Sequence, residues 1–109
     1  MALNVSSLAK TMTEAAKGKL QEHWPEVKEF ATSEAKKTAE TLRMIERLAL
    51  TGEINVKQAK ALLQMQKNSA LAVLLTVEGL GLLTVEAAIN AALSAVKDTV
   101  NTAVGFVLL

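Results

Sequence analysis

The amino-acid sequence predicts an all-α protein, and its composition and apolar periodicity support that fold class. The chain has 109 residues, of which 50% are apolar but only 3% aromatic, so Ala, Leu and Val supply most of the apolar content. Pro occurs once, whereas the frequent Ala, Leu, Lys and Glu residues lose little rotamer freedom in a helix. We predict an up-down four-helix bundle with helices at about residues 4–22, 25–50, 55–78 and 82–105.

The first predicted helix is amphipathic. Its apolar residues Val5, Leu8, Met12 and Leu20 recur at intervals of three or four, or multiples of them, and so share one face. Asn4 or Ser6 is suited to cap the helix, because either side-chain oxygen can accept an N–H of the first turn.

Pro25 marks the start of the second predicted helix. Its missing N–H is not needed in the first turn, and the negative charge of Glu26 favours the helix dipole there. The inner face is predicted to carry Val27, Phe30, Ala31, Thr38, Leu42, Ile45 and Ala49. The charged residues of this helix, including Glu34 and Glu46, are expected on solvent-exposed faces.

The segment Thr51-Gly52-Glu53-Ile54-Asn55 predicts a tight connection to the third helix. Gly52 can adopt the left-handed conformation that ends a helix, and Asn55 with Gln58 can form a capping box. Such a short connection makes the second and third helices antiparallel.

The segment 71–96 is the most apolar part of the chain, and it contains the sequence Leu-Leu-Thr-Val-Glu twice, at Leu74–Glu78 and Leu82–Glu86. Gly79-Leu80-Gly81 lies between the copies. One interpretation is a break, with Gly79 ending the third helix. The alternative is a long helical hairpin in which helices 3 and 4 are continuous and kinked at Gly79–Gly81. The two glutamates are expected at helix ends, paired with lysines of the first or second helix.

Charge density divides the chain into two parts of a single predicted domain, residues 1–109. Residues 1–67 hold 11 of the 12 basic and 8 of the 11 acidic residues, which makes this part amphipathic and charged. Residues 68–109 are rich in Ala, Leu and Val. The net charge of +1 does not indicate an anionic partner.

The residues available for catalysis or metal binding are few. There is no Cys, which excludes a thiolate nucleophile. His23 is the sole histidine and falls in a predicted exposed turn. The Glu-x-x-His motif of di-metal bundles is absent, because Leu20 stands three residues before His23. We therefore predict no enzymatic activity, no catalytic or metal-binding residue and no cofactor.

Two binding functions are also disfavoured. Gly79-x-Gly81 resembles a dinucleotide-binding turn only superficially, because Thr84 replaces the third glycine and no strand–helix alternation surrounds it. Nucleic-acid binding lacks support, since the chain has no basic cluster denser than Lys36-Lys37 and almost no aromatic residues for base stacking.

The apolar C-terminal helices instead predict a structural or protein-interaction module that self-associates as a homo-oligomer, with a further protein partner as an open option. The predicted interface consists of Leu71, Leu74, Leu75, Leu80, Leu82, Leu83 and Phe106. The N-terminus lacks the pattern of a secretory signal, which favours the cytoplasm. The alternative is a peripheral membrane protein that inserts the Leu71–Leu83 region into a lipid surface.

Overall fold

The computed structural model describes residues 2–109, and the all-α prediction is confirmed for them. The elements are α1 (Val5–Leu20), a 3₁₀ turn (Gln21–His23), α2 (Trp24–Leu50), α3 (Val56–Leu74) and α4 (Leu82–Val104). No coil segment separates α1, the 3₁₀ turn and α2, so the four α-helices are joined into three helical stretches, the first of which bends back at Gln21.

The first reversal of the chain occurs at Gln21, directly after α1. Gln21 has φ 45° and ψ −114°, and it is the one non-glycine residue with positive φ among residues 2–109. This conformation is sparsely populated by L-residues. It turns the chain so that α1 packs along α2. The N-terminus of α1 is capped by Asn4, whose Oδ1 accepts the Ser7 N–H at 2.9 Å, so the first of the two predicted caps is confirmed.

The connection between α2 and α3 has the predicted geometry. Gly52 has φ 73°, the Glu53 N–H donates to the Leu48 carbonyl at 2.9 Å, and the Gly52 N–H donates to the Ala49 carbonyl at 3.2 Å. These two bonds form a Schellman motif. Asn55 Oδ1 accepts the Gln58 N–H at 2.8 Å, and Gln58 Oε1 accepts the Asn55 N–H at 3.0 Å, which completes the capping box.

α3, the helix that precedes Gly79-Leu80-Gly81, ends four residues earlier than predicted. α3 stops at Leu74, and residues 75–81 are not helical, so the continuous kinked helix is wrong. Thr76 Oγ1 donates to the Val73 carbonyl at 2.6 Å, which competes with helical bonding at this end. A second turn follows, in which the Leu80 N–H donates to the Val77 carbonyl at 3.2 Å and Gly79 has φ 90°. A glycine with positive φ at this position is typical of a type II turn.

Helix packing is uneven around the molecule, which measures 43 × 22 × 18 Å. The most extensive contacts join α1 to α4 and α1 to α2, and α3 packs chiefly on α2 and touches α4 at few positions. The buried residues form two clusters. The larger includes Leu8, Met12, Leu42, Ile45, Leu63, Val96 and Val100. The smaller contains Leu20, Val27, Ala31, Leu74, Leu80, Val85 and Ala88.

The C-terminal residues fold back onto α4. Gly105 ends the helix in the left-handed conformation with φ 84°. Asn101 Oδ1 then accepts the N–H groups of Leu108 and Leu109 at 2.9 and 3.0 Å. Leu108 is buried in the larger cluster, and Phe106 packs against the same cluster.

Two acidic residues of α2 are buried, so the expectation that they face solvent is wrong. Glu46 is 1% exposed, and its carboxylate accepts the N–H groups of Ala2 at 2.9 Å and Leu3 at 3.3 Å. Glu46 thereby holds the segment that precedes α1. Glu34 is 4% exposed and lines a small cavity between the helices.

Candidate interaction surface

The residues of the predicted interface fall into two groups by exposure. Leu74 and Leu80 belong to the smaller core cluster, and Leu71 packs against it. Phe106 packs against the larger cluster at the far end of α4. The exposed members are Leu75 at 39%, Leu82 at 50% and Leu83 at 82%. The side chains of this second group are therefore the ones that can contact another molecule in the folded state.

Leu75, Leu82 and Leu83 flank the α3–α4 connection, and we call this surface the apolar tip. Leu75 caps the end of α3, while Leu82 and Leu83 are the first two residues of α4. Isolated exposed leucines are common on protein surfaces, whereas adjoining ones mark interaction sites more often.

Phe30 is exposed at the level of the apolar tip, contrary to its predicted place on the inner face of the second helix. It is 45% exposed. The Thr41 Oγ1–Gln66 Oε1 contact of 3.5 Å fixes the register of antiparallel α2 and α3. Because the helices are antiparallel, a residue before Thr41 in α2 lies level with the residue that follows Gln66 by the same number of positions. Phe30 precedes Thr41 by eleven positions, and eleven positions after Gln66 is beyond the end of α3. Phe30 therefore lies at the level of the α3–α4 connection.

Glu78 and Glu86 supply the charge of the apolar tip. Both are exposed. Among residues 2–109, the ion pairs within 4.0 Å are His23–Glu22 and Lys37–Glu34. The expected pairing of Glu78 and Glu86 with lysines is therefore wrong, and the tip presents two carboxylates beside its leucines.

The histidine predicted in an exposed turn is half-buried beneath the tip. The His23 side chain is 34% exposed, and its Cε1 lies 3.6 Å from the position of a Cβ on Gly79. The α1–α2 turn thus supports the α3–α4 turn from below. Trp24 lies at the same end of the molecule and joins α1 to α2 through a cation–π contact, with Lys17 Nζ 5.7 Å from the centre of its ring.

A second apolar surface, missed by the sequence reasoning, lies along α2 and α3 near their connection. This α2–α3 groove is shallow and widely open to solvent, and it is lined by Leu48, Glu53, Ile54, Gln58, Ala61, Leu62 and Met65. Met65 is 68% exposed, and Leu50 and Val56 are also exposed at this end of the molecule. The signal in the sequence was the spacing of Gln58, Ala61, Leu62 and Met65 on one helix face.

A small central cavity lies where the four helices meet. Its volume is about 40 Å³, and its polar lining consists of Glu34, Thr38 and Lys67. Glu34 Oε2 accepts from Lys37 Nζ at 3.0 Å, whereas Glu34 Oε1 is buried without a hydrogen-bond partner. The remaining walls are apolar and include six alanines: Ala16, Ala31, Ala35, Ala70, Ala88 and Ala92. A cavity of this volume is too small for an organic ligand, since a single water molecule needs roughly 10–15 Å³.

Neither a metal-binding cluster nor a membrane-spanning helix is found in the described part of the chain. Residues 2–109 contain no group of three or more His, Cys, Asp or Glu side chains arranged to hold a metal ion. Over the same residues, every helix is too short or too polar to cross a lipid bilayer.

Comparisons with known proteins give no match. No protein family model matches the chain, and neither the curated proteins nor the solved structures include a significant relative. The apolar tip and the α2–α3 groove are therefore the observations from which a function can be argued.

Proposed function

We propose that this protein is a non-enzymatic, cytoplasmic four-helix bundle that self-associates through the apolar tip. The antiparallel α2–α3 hairpin and the packing of α1 between α2 and α4 support the bundle assignment. The observation that carries the proposed function is the exposure of Leu82 and Leu83, at 50% and 82%, in the first turn of α4.

The energetic reason for association is the removal of these side chains from water. Burial of a leucine side chain contributes roughly 1.5–3 kcal/mol. The three leucines of the tip, even with Phe30 at the same level, present less area than the roughly 800 Å² per partner of a standard interface. We therefore expect a weak homo-oligomer that depends on concentration.

Charge favours a protein partner over a lipid surface. Glu78 and Glu86 are exposed beside the leucines, and both would be repelled by anionic headgroups and desolvated on insertion into a bilayer. A partner protein can supply cations or leave the carboxylates at a wet rim. The peripheral membrane alternative becomes an outcome of the same experiment.

The test is sedimentation velocity over a wide range of protein concentration. The tip variant Leu82→Gln/Leu83→Gln removes apolar surface while keeping helix-compatible side chains of similar size. The matched control is Val107→Gln, since Val107 is 68% exposed but lies beyond the other end of α4. We expect wild type and control to form larger species as concentration rises and the tip variant to remain monomeric.

Vesicles provide the second arm of the experiment. Flotation with neutral phosphatidylcholine vesicles and with vesicles containing phosphatidylserine should leave the wild-type protein unbound. A wild-type protein that stays monomeric at every concentration contradicts the proposal. Binding to vesicles that the Leu82→Gln/Leu83→Gln change abolishes would establish the membrane alternative.

A further inference from the structure

We infer that a cleft between α3 and α4 binds a linear dicarboxylate, whose two carboxylates meet Lys67 and Lys97. Sites for small ligands combine an apolar lining with a few polar groups that fix orientation, and their volumes begin at roughly 300 Å³. This α3–α4 cleft has a volume of about 340 Å³ and is partly open to solvent. It is lined by Leu63, Lys67, Asn90, Leu93, Ser94, Lys97, Leu108 and Leu109.

The charged side chains of the cleft are positive. Lys67 belongs to α3 and is half-buried, whereas Lys97 belongs to α4 and is exposed. Among residues 2–109, no acidic side chain lines the cleft, and neither lysine has an ion-pair partner within 4.0 Å. The Leu109 carbonyl oxygen accepts from Asn101 Nδ2 at 3.4 Å. Both ammonium groups are therefore available to form charge-assisted hydrogen bonds with the carboxylates of a ligand.

The two lysines lie towards opposite ends of the cleft. Lys67 and Asn90 line both this cleft and the neighbouring one, so Lys67 lies level with Asn90 of α4. Lys97 follows Asn90 by seven residues, which places it on the same face of α4 and about 10 Å further along the helix axis. An extended ligand with a carboxylate at each end spans this separation. A single carboxylate would have to draw two flexible side chains to one point, at a cost in side-chain entropy.

The lining of the cleft away from the lysines is apolar. Leu63, Leu93 and Leu108 are 5%, 8% and 6% exposed, so they form a wall of the hydrophobic core at the bottom of the cleft. An apolar wall favours a methylene spacer between the two carboxylates, because contact removes both from water. The Asn90 amide near Lys67 and the Ser94 hydroxyl one helical turn before Lys97 supply a hydrogen-bond donor towards each end.

Glu86 limits the binding at one end of the cleft. It is exposed and lines the neighbouring cleft together with Lys67 and Asn90. Like charges at a binding site oppose association, so its carboxylate opposes the ligand carboxylate that meets Lys67. We therefore expect Glu86→Gln to strengthen dicarboxylate binding about twofold.

The experiment is a titration of the full-length protein with suberate at constant ionic strength, followed by ¹H–¹⁵N NMR. We expect saturable shifts of the Asn90, Ser94 and Leu108 amides, with a dissociation constant in the millimolar range because the ligand is small and stays partly exposed. Octanoate has the same chain length and one carboxylate fewer, and it should bind at least about threefold more weakly. Sulfate carries two charges without a spacer and should cause no saturable shift of these amides.

Variants assign the binding to the two lysines. Lys97→Gln should weaken suberate binding about threefold, as for an exposed ion pair, and Lys67→Gln should weaken it more because Lys67 is half-buried. Lys57→Gln is the matched control, since Lys57 is an exposed lysine of α3 outside the cleft lining. The Leu82→Gln/Leu83→Gln variant should bind suberate as the wild-type protein does. Failure of the proposed self-association would thus leave the dicarboxylate site intact.

Three results would overturn the dicarboxylate site. They are the absence of saturable shifts with suberate, octanoate binding as tight as suberate binding, and a loss with Lys57→Gln equal to that with Lys97→Gln. If thermal melting by circular dichroism shows Lys67→Gln to be misfolded, the exposed substitutions Lys97→Gln and Glu86→Gln decide, because they should change the affinity in opposite directions. Changes in the same direction, or no change, would contradict the inference.

Discussion

Glu34 and Glu46 are two buried carboxylates on one helix, and their surroundings give them opposite energetic roles. Glu46 accepts hydrogen bonds from two backbone N–H groups. Glu34 has one exposed lysine as its partner, with Lys37 56% exposed, and leaves Oε1 without a partner beside a cavity. A buried polar group without a hydrogen bond is destabilising, whereas a bond to a charged acceptor contributes more than a neutral one.

We expect Glu34→Met to raise the free energy of unfolding and Glu46→Met to lower it. Methionine at position 34 removes the unpartnered oxygen and reaches into the apolar cavity, for an expected gain of about 1 kcal/mol. At position 46 it leaves the buried Leu3 N–H without an acceptor, for a loss of about 2 kcal/mol. The measurement is urea unfolding of the two variants beside the wild-type protein.

The two substitutions control for each other, since each replaces a buried glutamate of α2 with the same flexible side chain. Equal losses of stability in both variants would mean that the difference in hydrogen bonding between Glu34 and Glu46 does not determine how the substitution changes the free energy of unfolding. No sequence pattern separates Glu34 and Glu46 from the other charged residues of α2. Their burial depends on what α1, α3 and the N-terminal segment place against them.

At the scale of elements, the sequence predicts best where bonding is local. The Asn55–Gln58 capping box and the Gly52 turn involve residues within five positions of one another, so the residue types alone specify them. The end of α3 was harder to predict, because Leu74–Val77 is compatible with a helix. In the structure this end is set by the Thr76 side chain and by burial of Leu80 beneath the tip.

The apolar tip, too, could be predicted from the sequence only in part. The apolar character of the α3–α4 connection is evident in the sequence, and three of the seven predicted interface residues, Leu75, Leu82 and Leu83, are exposed. Which leucines point inward depends on the turn geometry, which places Leu80 at 8% exposure and Leu83 at 82%. The α2–α3 groove was missed because it needs residues of two helices and their connection to be brought together.

The turn between α3 and α4 can be tested with two glycines that differ in conformation. Gly79 has φ 90°, whereas Gly81 has φ −93°. We expect Gly79→Ala to lower the free energy of unfolding by about 1 kcal/mol, because a side chain disfavours the left-handed region. Gly81→Ala should be nearly neutral, since its φ is accessible to L-residues and a Cβ there meets open space.

Thermal unfolding by circular dichroism compares the two alanine variants directly. The Cβ of Gly79→Ala would lie 3.6 Å from the His23 imidazole, an ordinary contact distance, so the expected loss comes from backbone conformation and not from a clash. A larger loss for Gly81→Ala than for Gly79→Ala would contradict the turn geometry.

For the molecule as a whole, the uneven packing places α3 at the margin of the structure. α3 packs on α2 and touches α4 at few positions. Between α3 and α4 lie two clefts of about 340 and 260 Å³, both lined by Lys67 and Asn90. The central cavity adjoins them, since Lys67, Ile89 and Leu93 also line it. An element with few buried contacts opens at a lower free energy than the rest of a protein.

We therefore expect α3 to exchange its amide hydrogens through partial opening, while α1 and α4 exchange only through global unfolding. Native-state hydrogen exchange should give buried Leu63 and Ala70 of α3 an opening free energy about 2 kcal/mol below that of Val96 and Val100 of α4. Fraying at the α3 N-terminus is not the cause, because the capping box holds that end. Equal opening free energies for both helices would show that the protein unfolds as a single cooperative unit.

A variant can show whether the cavity and clefts between α3 and α4 cause the lower opening free energy of α3. Lys67→Leu removes a half-buried charge from the wall shared by the cavity and both clefts, and it extends apolar contact between α3 and α4. Protection should rise at Leu63 and Ala70 and change little in α1, which has no part in either cleft. Uniform protection of all helices would instead indicate a global gain from burial. An opening of α3 would also disturb the apolar tip, because α3 leads to Leu75. Self-association of the wild-type protein should therefore raise protection in α3 as concentration increases, and the Leu82→Gln/Leu83→Gln variant should not show this rise.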